Sequence, residues 1–371
     1  MTLPLKGLKV VAVEQAVAAP FATSRLADAG AEVIKIERPE GDFARGYDDV
    51  AAGQSSYFVW LNRGKTSVAL DLRSDGGRAE LFRLLEDADV LVLNLKRGAL
   101  GRLGFTPERL ARDFPRLITC SITGYGEGGP MADRKAYDLL IQAESGLCSI
   151  TGGPTEPARV GMSIVDVATG ATAHAAILEA LIARGISGKG AAITISMFDV
   201  MADWMTVPLL NHEGGKTPTR VGMAHPSISP YSAFETRDSQ LILISIQSDR
   251  EWRMLCEHFL QRPDLGRDPR FATNVARVAN RPETDGIVAE AFSRMSHDEA
   301  LAALDRADVA MASVNDMAGL SAHPHLRRIT VETPNGPVSY PAPAPRVAGE
   351  ARHYGSVPDL PQPHLETEQS K

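Results

Sequence analysis

The sequence predicts an α/β fold: a large unit built on a parallel sheet, followed by a smaller α/β unit. Three observations predict it. Short apolar, β-branched runs alternate with helical patterns through the first half of the chain, as βαβ units require. At 371 residues the chain exceeds what one small core supports. After residue 210 the composition changes abruptly to HEGGKTPTRVGMAHPSISP, rich in Gly, Pro and His, which reads as a linker into a second unit.

The elements follow in order. Leu8 to Val13 (LKVVAV) reads as the first strand, and the Ala- and Leu-rich stretch from Pro20 to Gly30 as the helix after it. Further strands are expected at Glu32 to Glu37, Thr66 to Leu70, Asp89 to Leu93, Leu117 to Ile122 and Ala192 to Ile195. Helices are expected at Asp75 to Glu86 and Pro107 to Asp113. This alternation makes the first unit Rossmann-like, with right-handed crossovers. Gly124 to Pro130 (GYGEGGP) must be a loop, and a helix is expected from Tyr137. The Ala/Leu-rich stretch after Asp166, with Gly188 and Gly190 just past its end, is the clearest helix in the chain. Another is expected from Ser196 to about Leu210. In the second unit a strand is expected over Ser239 to Ile246, with helices over Asp249 to Leu260 and Glu299 to Asp305. The Pro-rich stretch from Pro334 onward should be extended and pack over another part of the molecule or a partner.

A formal charge of −7 and a pI near 5.8 argue against nucleic-acid binding, which needs a broad excess of cations. A small anion needs only a local cluster, which net charge does not exclude. Cys120, Cys148 and Cys256 are odd in number and far apart, giving neither a disulfide framework nor the spacing of a metal site. They fit a reducing, cytoplasmic setting. No signal sequence and no membrane anchor are expected, because charged residues interrupt each apolar run before the roughly 20 residues a span needs.

Groups of cations sit near the ends of expected strands: Lys35 with Arg38, Arg63 with Lys65 and Arg73, and Lys96 with Arg97 and Arg102. Ligands of open α/β sheets bind outside the carboxyl ends of the strands, and Arg suits phosphate oxygens. A polyphosphate ligand is one reading; solvated surface charge is the other. A dinucleotide or nucleoside triphosphate fits poorly, since EQAVAAP after the first strand contains no glycine. Asp166, just before the clearest helix, also has two compatible readings. It is a suitable N-cap, and a helix N-terminus favours the ionised carboxylate that a nucleophile requires.

These residues resemble a known family. The stretches GLKVVAVEQAVAAPFATSRLADAGAEVIKIERPEGDFAR, NRGKTSVALDL, VLNLKRGALGRLGF, ITGYGEGGPMADRKAYDLLIQAESG and RVGMSIVDVATGATAHAAILEAL are similar to the family III CoA transferases, which include formyl-CoA transferase and the carnitine CoA-transferase group. They span almost all of residues 7 to 184, in the family's order. The resemblance implies a Rossmann-like large domain over residues 1–210, a small domain over 211–325, and a segment 326–371 returning to the large domain. It also implies an interlocked homodimer.

The resemblance gives Asp166 the role of nucleophile, carrying CoA as an aspartyl thioester between an acyl-CoA donor and a free carboxylic acid. Dicarboxylic acids such as succinate and a C4 or C5 partner are the substrates it suggests. CoA itself would contact Ala16, Val17, Ala18, Arg38, Leu70, Arg73, Asn94, Arg102, Lys135 and Tyr137, and charge and position add Arg97. No permanently bound cofactor and no metal are expected. Gln15, His225 and Gln247 are candidates to line the acyl pocket, although His225 and Gln247 also read as linker and surface residues. Two departures matter. The superfamily's 2-methylacyl-CoA racemases carry a His before an Asp where this chain has Tyr137 and Asp138, and a phenol with a pKa near 10 replaces imidazole poorly. A racemase is therefore the alternative, and a CoA-binding protein without catalysis a further one. The glycine-only loop of formyl-CoA transferase is absent from the small domain, which argues against formyl or oxalate specificity.

Overall fold

A computed structural model describes residues 3–349 and 352–360. The chain divides into two compact units: Met1–Cys148, Arg159–Leu210 and Arg327–Lys371 form the first, Ser149–Ala158 and Asn211–Leu326 the second.

In the first unit β1 (Lys9–Val13) leads into α1 (Ala18–Asp28), β2 (Glu32–Glu37) into α2 (Ser56–Asn62), and β3 (Lys65–Ala69) into α3 (Asp75–Leu85). β4 (Val90–Leu93) is followed by α4 (Ala99–Arg102) and α5 (Pro107–Asp113). β5 (Ile118–Thr123) is followed by α6 (Asp138–Glu144), α7 (Leu147–Ile150) and α8 (Ile164–Ser187). β6 (Ala192–Ser196) leads into α9 (Met197–Trp204) and α10 (Thr206–Glu213). The strands form one six-stranded sheet in the order β3-β2-β1-β4-β5-β6, parallel throughout. Strand order reverses between β1 and β4, so the loops leaving them diverge and open a crevice at their carboxyl ends.

Both sheet faces are buried, as parallel sheets demand. Val10, Ala12, Val90 and Val92 pack with α1 and α8, while Val11, Val13 and Leu91 pack with α3 and α5. Gly170 brings α8 onto the start of α1. A Cβ there would stand 2.5 Å from the Ala18 carbonyl oxygen and 2.9 Å from Phe21 Cβ.

Several expectations need correction. The helix expected from Ser196 to Leu210 is broken at Met205 into α9 and α10, and α10 continues to Glu213, through the start of the expected linker. Residues 149–158 group with the second unit, where Gly152 accepts a hydrogen bond from Gly222 N at 3.0 Å. The Pro-rich stretch is extended over Val338–Pro341, which pairs antiparallel with Arg328–Val331, and farther on it packs on the first unit, where Gly64 N donates to Ser356 O at 2.8 Å. By length and composition α8, at 24 residues, is long and apolar enough to cross a membrane. That apolar character serves the core of the first unit, where Ala168, Gly170, Ala173 and Ile177 are buried.

The second unit holds an antiparallel sheet of β7 (Tyr231–Glu235), β8 (Leu241–Ser245) and β9 (Ala310–Ser313). β10 (Arg328–Val331) and β11 (Val338–Pro341) belong to the first unit. The second unit's own core gathers Phe234, Trp252, Phe259, Phe271 and Phe292.

Candidate active site

The crevice at the strand-order reversal is sealed at its base by a side chain. Asn94, after β4, accepts from Gln15 N at 2.9 Å and donates to Gln15 O at 2.7 Å, which ties the loop after β1 to the loop after β4. The next residue, Ala16, has φ +61°, a region that costs a non-glycine residue about 1 kcal/mol or more. Asp42 holds it there by accepting from Ala16 N at 3.2 Å.

Asp42 belongs to a buried ionic network under this loop. Lys35 Nζ lies 2.8 Å from Asp42 and 3.6 Å from Glu14, and Lys65 Nζ lies 2.6 Å from Glu14. Thr23 donates to Glu14 at 2.7 Å. All four charged side chains are fully buried. Burial opposes the Glu14 charge, but Lys65 and Lys35 outweigh it and hold the carboxyl below its usual range. Burial, against the pull of Glu14, lowers Lys65 to about 8. Lys35 and Lys65 therefore cannot meet a phosphate, and neither can Arg63, which is buried on Asp28 at 2.9 Å. The polyphosphate reading of these three residues is corrected: their partners are carboxylates brought in from elsewhere in the fold.

Above the network a cleft of about 520 Å³ is lined by Gln15, Ala16, Val17, Ala18, Asn94, Arg97, Lys135, Tyr137 and Asp166, all candidates from the sequence. It is lined as well by Phe43, Tyr47, Tyr57, Lys96, Asp138, Arg159 and Ser163. A neighbouring cleft of about 410 Å³, sharing Gln15 and Leu95, holds Arg38, Leu70 and Arg73. Arg102 lies in neither wall; its guanidinium reaches Arg97 O at 3.4 Å. Arg97 is already paired, at 3.1 Å with Glu127 and 3.3 Å with Asp133, and Arg73 is paired with Asp71 at 3.0 Å. Lys96, Lys135 and Arg159 form no ion pair among the described residues. His225 and Gln247 belong to the second unit, where His225 stacks on Tyr231 at 5.2 Å and Gln247 N donates to Glu251 at 2.6 Å.

Asp166 is the third residue of α8, not its N-cap; Ser163 holds that position and makes no capping bond. The cap comes from another helix. Asp138, the first residue of α6, accepts from Val165 N at 2.8 Å and from Asp166 N at 3.2 Å. Its other oxygen accepts from Gln142 Nε2 at 2.7 Å, and Gln142 Oε1 accepts from Val160 N at 2.9 Å. Two residues one turn apart on α6 thus fix the whole segment from Val160 to Asp166. Burial, joined by the negative charge of Asp138, pushes the Asp166 carboxyl up to about 7.

Sequence reading passed over the aromatic wall. Tyr47 and Tyr57 meet edge to face at 5.6 Å, Phe43 lies 5.8 Å from Tyr47, and Tyr57 Oη is 3.1 Å from Ser163 Oγ. Aromatic residues spaced through an otherwise polar loop were the available signal. Burial, with Asp42 and Asp166 adding to it, raises Tyr47 to about 12, so its hydroxyl stays protonated. Val17, which clusters with Tyr57, precedes the first turn of α1 and gives it no side-chain cap; with Gln15 N and Ala16 N already engaged, the next amides are donors without intrahelical acceptors.

A doubly wound parallel sheet with a ligand-sized cleft at its reversal point, lined by a partly buried carboxylate on a helix's first turn, defines an α/β protein with its site at the carboxyl ends of the strands. Comparison makes this specific. The sequence profile described as CoA-transferase family III matches residues 5–365. The chain is 36% identical over 350 residues to acetyl-CoA:oxalate CoA-transferase of Acetobacter aceti, covering 93% of this chain and 90% of that protein. It is 36% identical over 349 residues to succinate–glutarate CoA-transferase of Agrobacterium fabrum, covering 90% and 87%. Among solved structures, a CAIB/BAIF family protein from Brucella suis superposes with a TM-score of 0.84 at 36% identity, covering 96% of each chain. The chain belongs to CoA-transferase family III. It is a CoA transferase whose substrates are CoA thioesters and carboxylic acids.

Proposed function

We propose that the protein moves CoA between dicarboxylic acids through a thioester on Asp166. The observation that carries this reading is the Asp166 carboxylate itself, set on the first turn of α8 in the wall of the cleft, where burial and then the charge of Asp138 raise it to about 7. A carboxylate stripped of water is a stronger nucleophile than a solvated one, and near pH 7 a substantial fraction is ionised.

The reaction balances without external acid or base. The Asp166 carboxylate attacks the thioester carbonyl of the donor, and CoA thiolate leaves as a mixed anhydride forms. The thiolate attacks the Asp166 acyl carbon, the donor leaves as its carboxylate, and Asp166 carries CoA. The acceptor carboxylate then attacks this thioester, the released thiolate attacks the acceptor's carbonyl in the new anhydride, and Asp166 is restored. Each tetrahedral oxyanion needs preorganised donors, a role we assign to the uncapped amides at Val17 to Ala19. Lys96 and Lys135 suit the phosphates, the Phe43–Tyr47–Tyr57 wall the pantetheine arm, and Arg38, Leu70 and Arg73 the adenosine end. The names of the two relatives, oxalate in one and succinate and glutarate in the other, support diacids as substrates.

The homodimer belongs to the same proposal. Ile182 and Ile186 on α8 are 68% and 87% exposed, and Val207 and Leu210 on α10 are 66% and 60% exposed, apolar area of the kind partners cover. A cytoplasmic setting accords with the free thiols of Cys120, Cys148 and Cys256.

The test is to incubate the protein with succinyl-CoA and a panel of carboxylic acids, following new thioesters by mass spectrometry. Transfer with a CoA adduct on the Asp166 peptide is expected. Solvent-deuterium exchange at the α-carbon of 2-methylacyl-CoA without any transfer would defeat the reading in favour of a racemase.

A further inference from the structure

Arg159 occupies an unusual position in the cleft. It lines the same wall as Ser163 and Asp166, is exposed to the cleft, and makes no hydrogen bond or ion pair among the described residues. Its place relative to Asp166 is nevertheless set firmly. Val160 N, the next amide along, is held by Gln142 at 2.9 Å, and Asp166 N by Asp138 at 3.2 Å. Asp138 and Gln142 are bonded to each other at 2.7 Å, so one pair on α6 holds the backbone beside Arg159 and the backbone of the nucleophile. The guanidinium is not spent on Asp166: the two form no ion pair, and burial and Asp138 raise that carboxyl with no cation opposing them. An arginine that lines the same cleft as Asp166 and pairs with no carboxylate among the described residues has its donors available to a ligand.

With Lys96 and Lys135 assigned to the phosphates of CoA, Arg159 is left for the acyl group. A diacid brings two negative charges into a cleft that already contains Asp138 and Asp166. The carboxylate that reacts is drawn to Asp166 covalently; the second needs a cation of its own, or its desolvation is uncompensated. A monocarboxylic acyl group has no such need. We propose that Arg159 binds the non-reacting carboxylate of a dicarboxylic acyl group or acceptor and thereby sets the preference for diacids over monoacids. Guanidinium presents parallel N–H donors to both carboxylate oxygens, and the Asp138–Gln142 pair fixes how far that carboxylate sits from the reacting one. Chain length of the diacid is then read by this spacing.

The inference rests on the diacid transfer proposed above, and the experiment separates the two. Wild type, Arg159→Met and Arg159→Lys are compared for transfer from succinyl-CoA and from butyryl-CoA, in which a methyl group replaces the second carboxylate, with succinate and butyrate as acceptors. In Arg159→Met the ratio of kcat/KM for succinyl-CoA over butyryl-CoA should fall about 30-fold, the worth of one charge-assisted pair, and KM for succinate should rise by a similar factor. Arg159→Lys should recover part of both, as a point charge does. A wild type that transfers CoA but shows no preference for succinyl-CoA removes the diacid reading itself. If the wild type prefers diacids and Arg159→Met keeps that ratio, the assignment is overturned: equal losses for both donors would assign Arg159 to CoA or to folding, and no loss would make it a bystander.

Discussion

Replacing Asp166 by Asn removes a charge that the folded protein holds at a cost, so the variant should lose transfer activity and gain stability in a pH-dependent way. The Asp166 carboxyl is raised from 3.8 to about 7 in the folded chain. Between those values the native state keeps a proton that the unfolded chain has released. Stability therefore falls as pH rises, by about 1.4 kcal/mol per unit for this group. The group's contribution is complete below about pH 4, declines through the window, and is gone above about pH 7. From pH 5.5 to 8 the wild type should lose about 2 kcal/mol through Asp166, or about 1 kcal/mol after allowing for its partial contact with water. The amide of the Asp166→Asn variant does not titrate, and Tyr47, whose pKa Asp166 helps to raise, stays protonated from pH 5.5 to 8 in both proteins, so over this range the difference between them reports chiefly this carboxyl. Thermal unfolding of the pair at pH 5.5 and 8 should show the variant's Tm advantage growing by about 1 to 3 °C. A pH-independent difference, or a variant less stable at pH 8, would refute the assignment of burial and Asp138 as the source of the shift.

Two further outcomes follow from the same geometry. Asp138→Asn keeps an oxygen to accept from Val165 N and Asp166 N but removes the charge that repels Asp166; the acid limb of the kcat/KM profile, expected near pH 7 in the wild type, should move to lower pH. An unmoved limb would show that Asp138 acts only as a cap. Gly170→Ala should cost about 1 to 3 kcal/mol in denaturant unfolding, because its Cβ would stand 2.5 Å from the Ala18 carbonyl. It should also lower kcat by shifting Asp166 against the start of α1; a variant as stable as wild type would show that the two helices can part freely.

Local pattern determined much of this protein. Apolar runs and turn residues suffice to mark β1 to β6 and the long helix after Asp166, since period and propensity are properties of neighbours in sequence. The motif resemblance singles out Asp166 as nucleophile from those same neighbours. Charge was another matter. Lys35, Lys65 and Arg63 look like phosphate ligands in the sequence, yet each is buried on a carboxylate: Asp42 and Glu14 for the lysines, Asp28 for the arginine. Whether a cation meets water, ligand or carboxylate depends on which strands lie side by side, and the order β3-β2-β1-β4 is not written in any one segment. The cap of α8 is the same kind of fact. Sequence proximity offers Asp166 for it, but Asp138 does the capping from 27 residues upstream of Val165, and only the folded chain sets that carboxylate close enough to hold Asp166 N and raise its pKa at once. Electrostatic energy depends on distance and burial through space, and the tertiary structure alone supplies both.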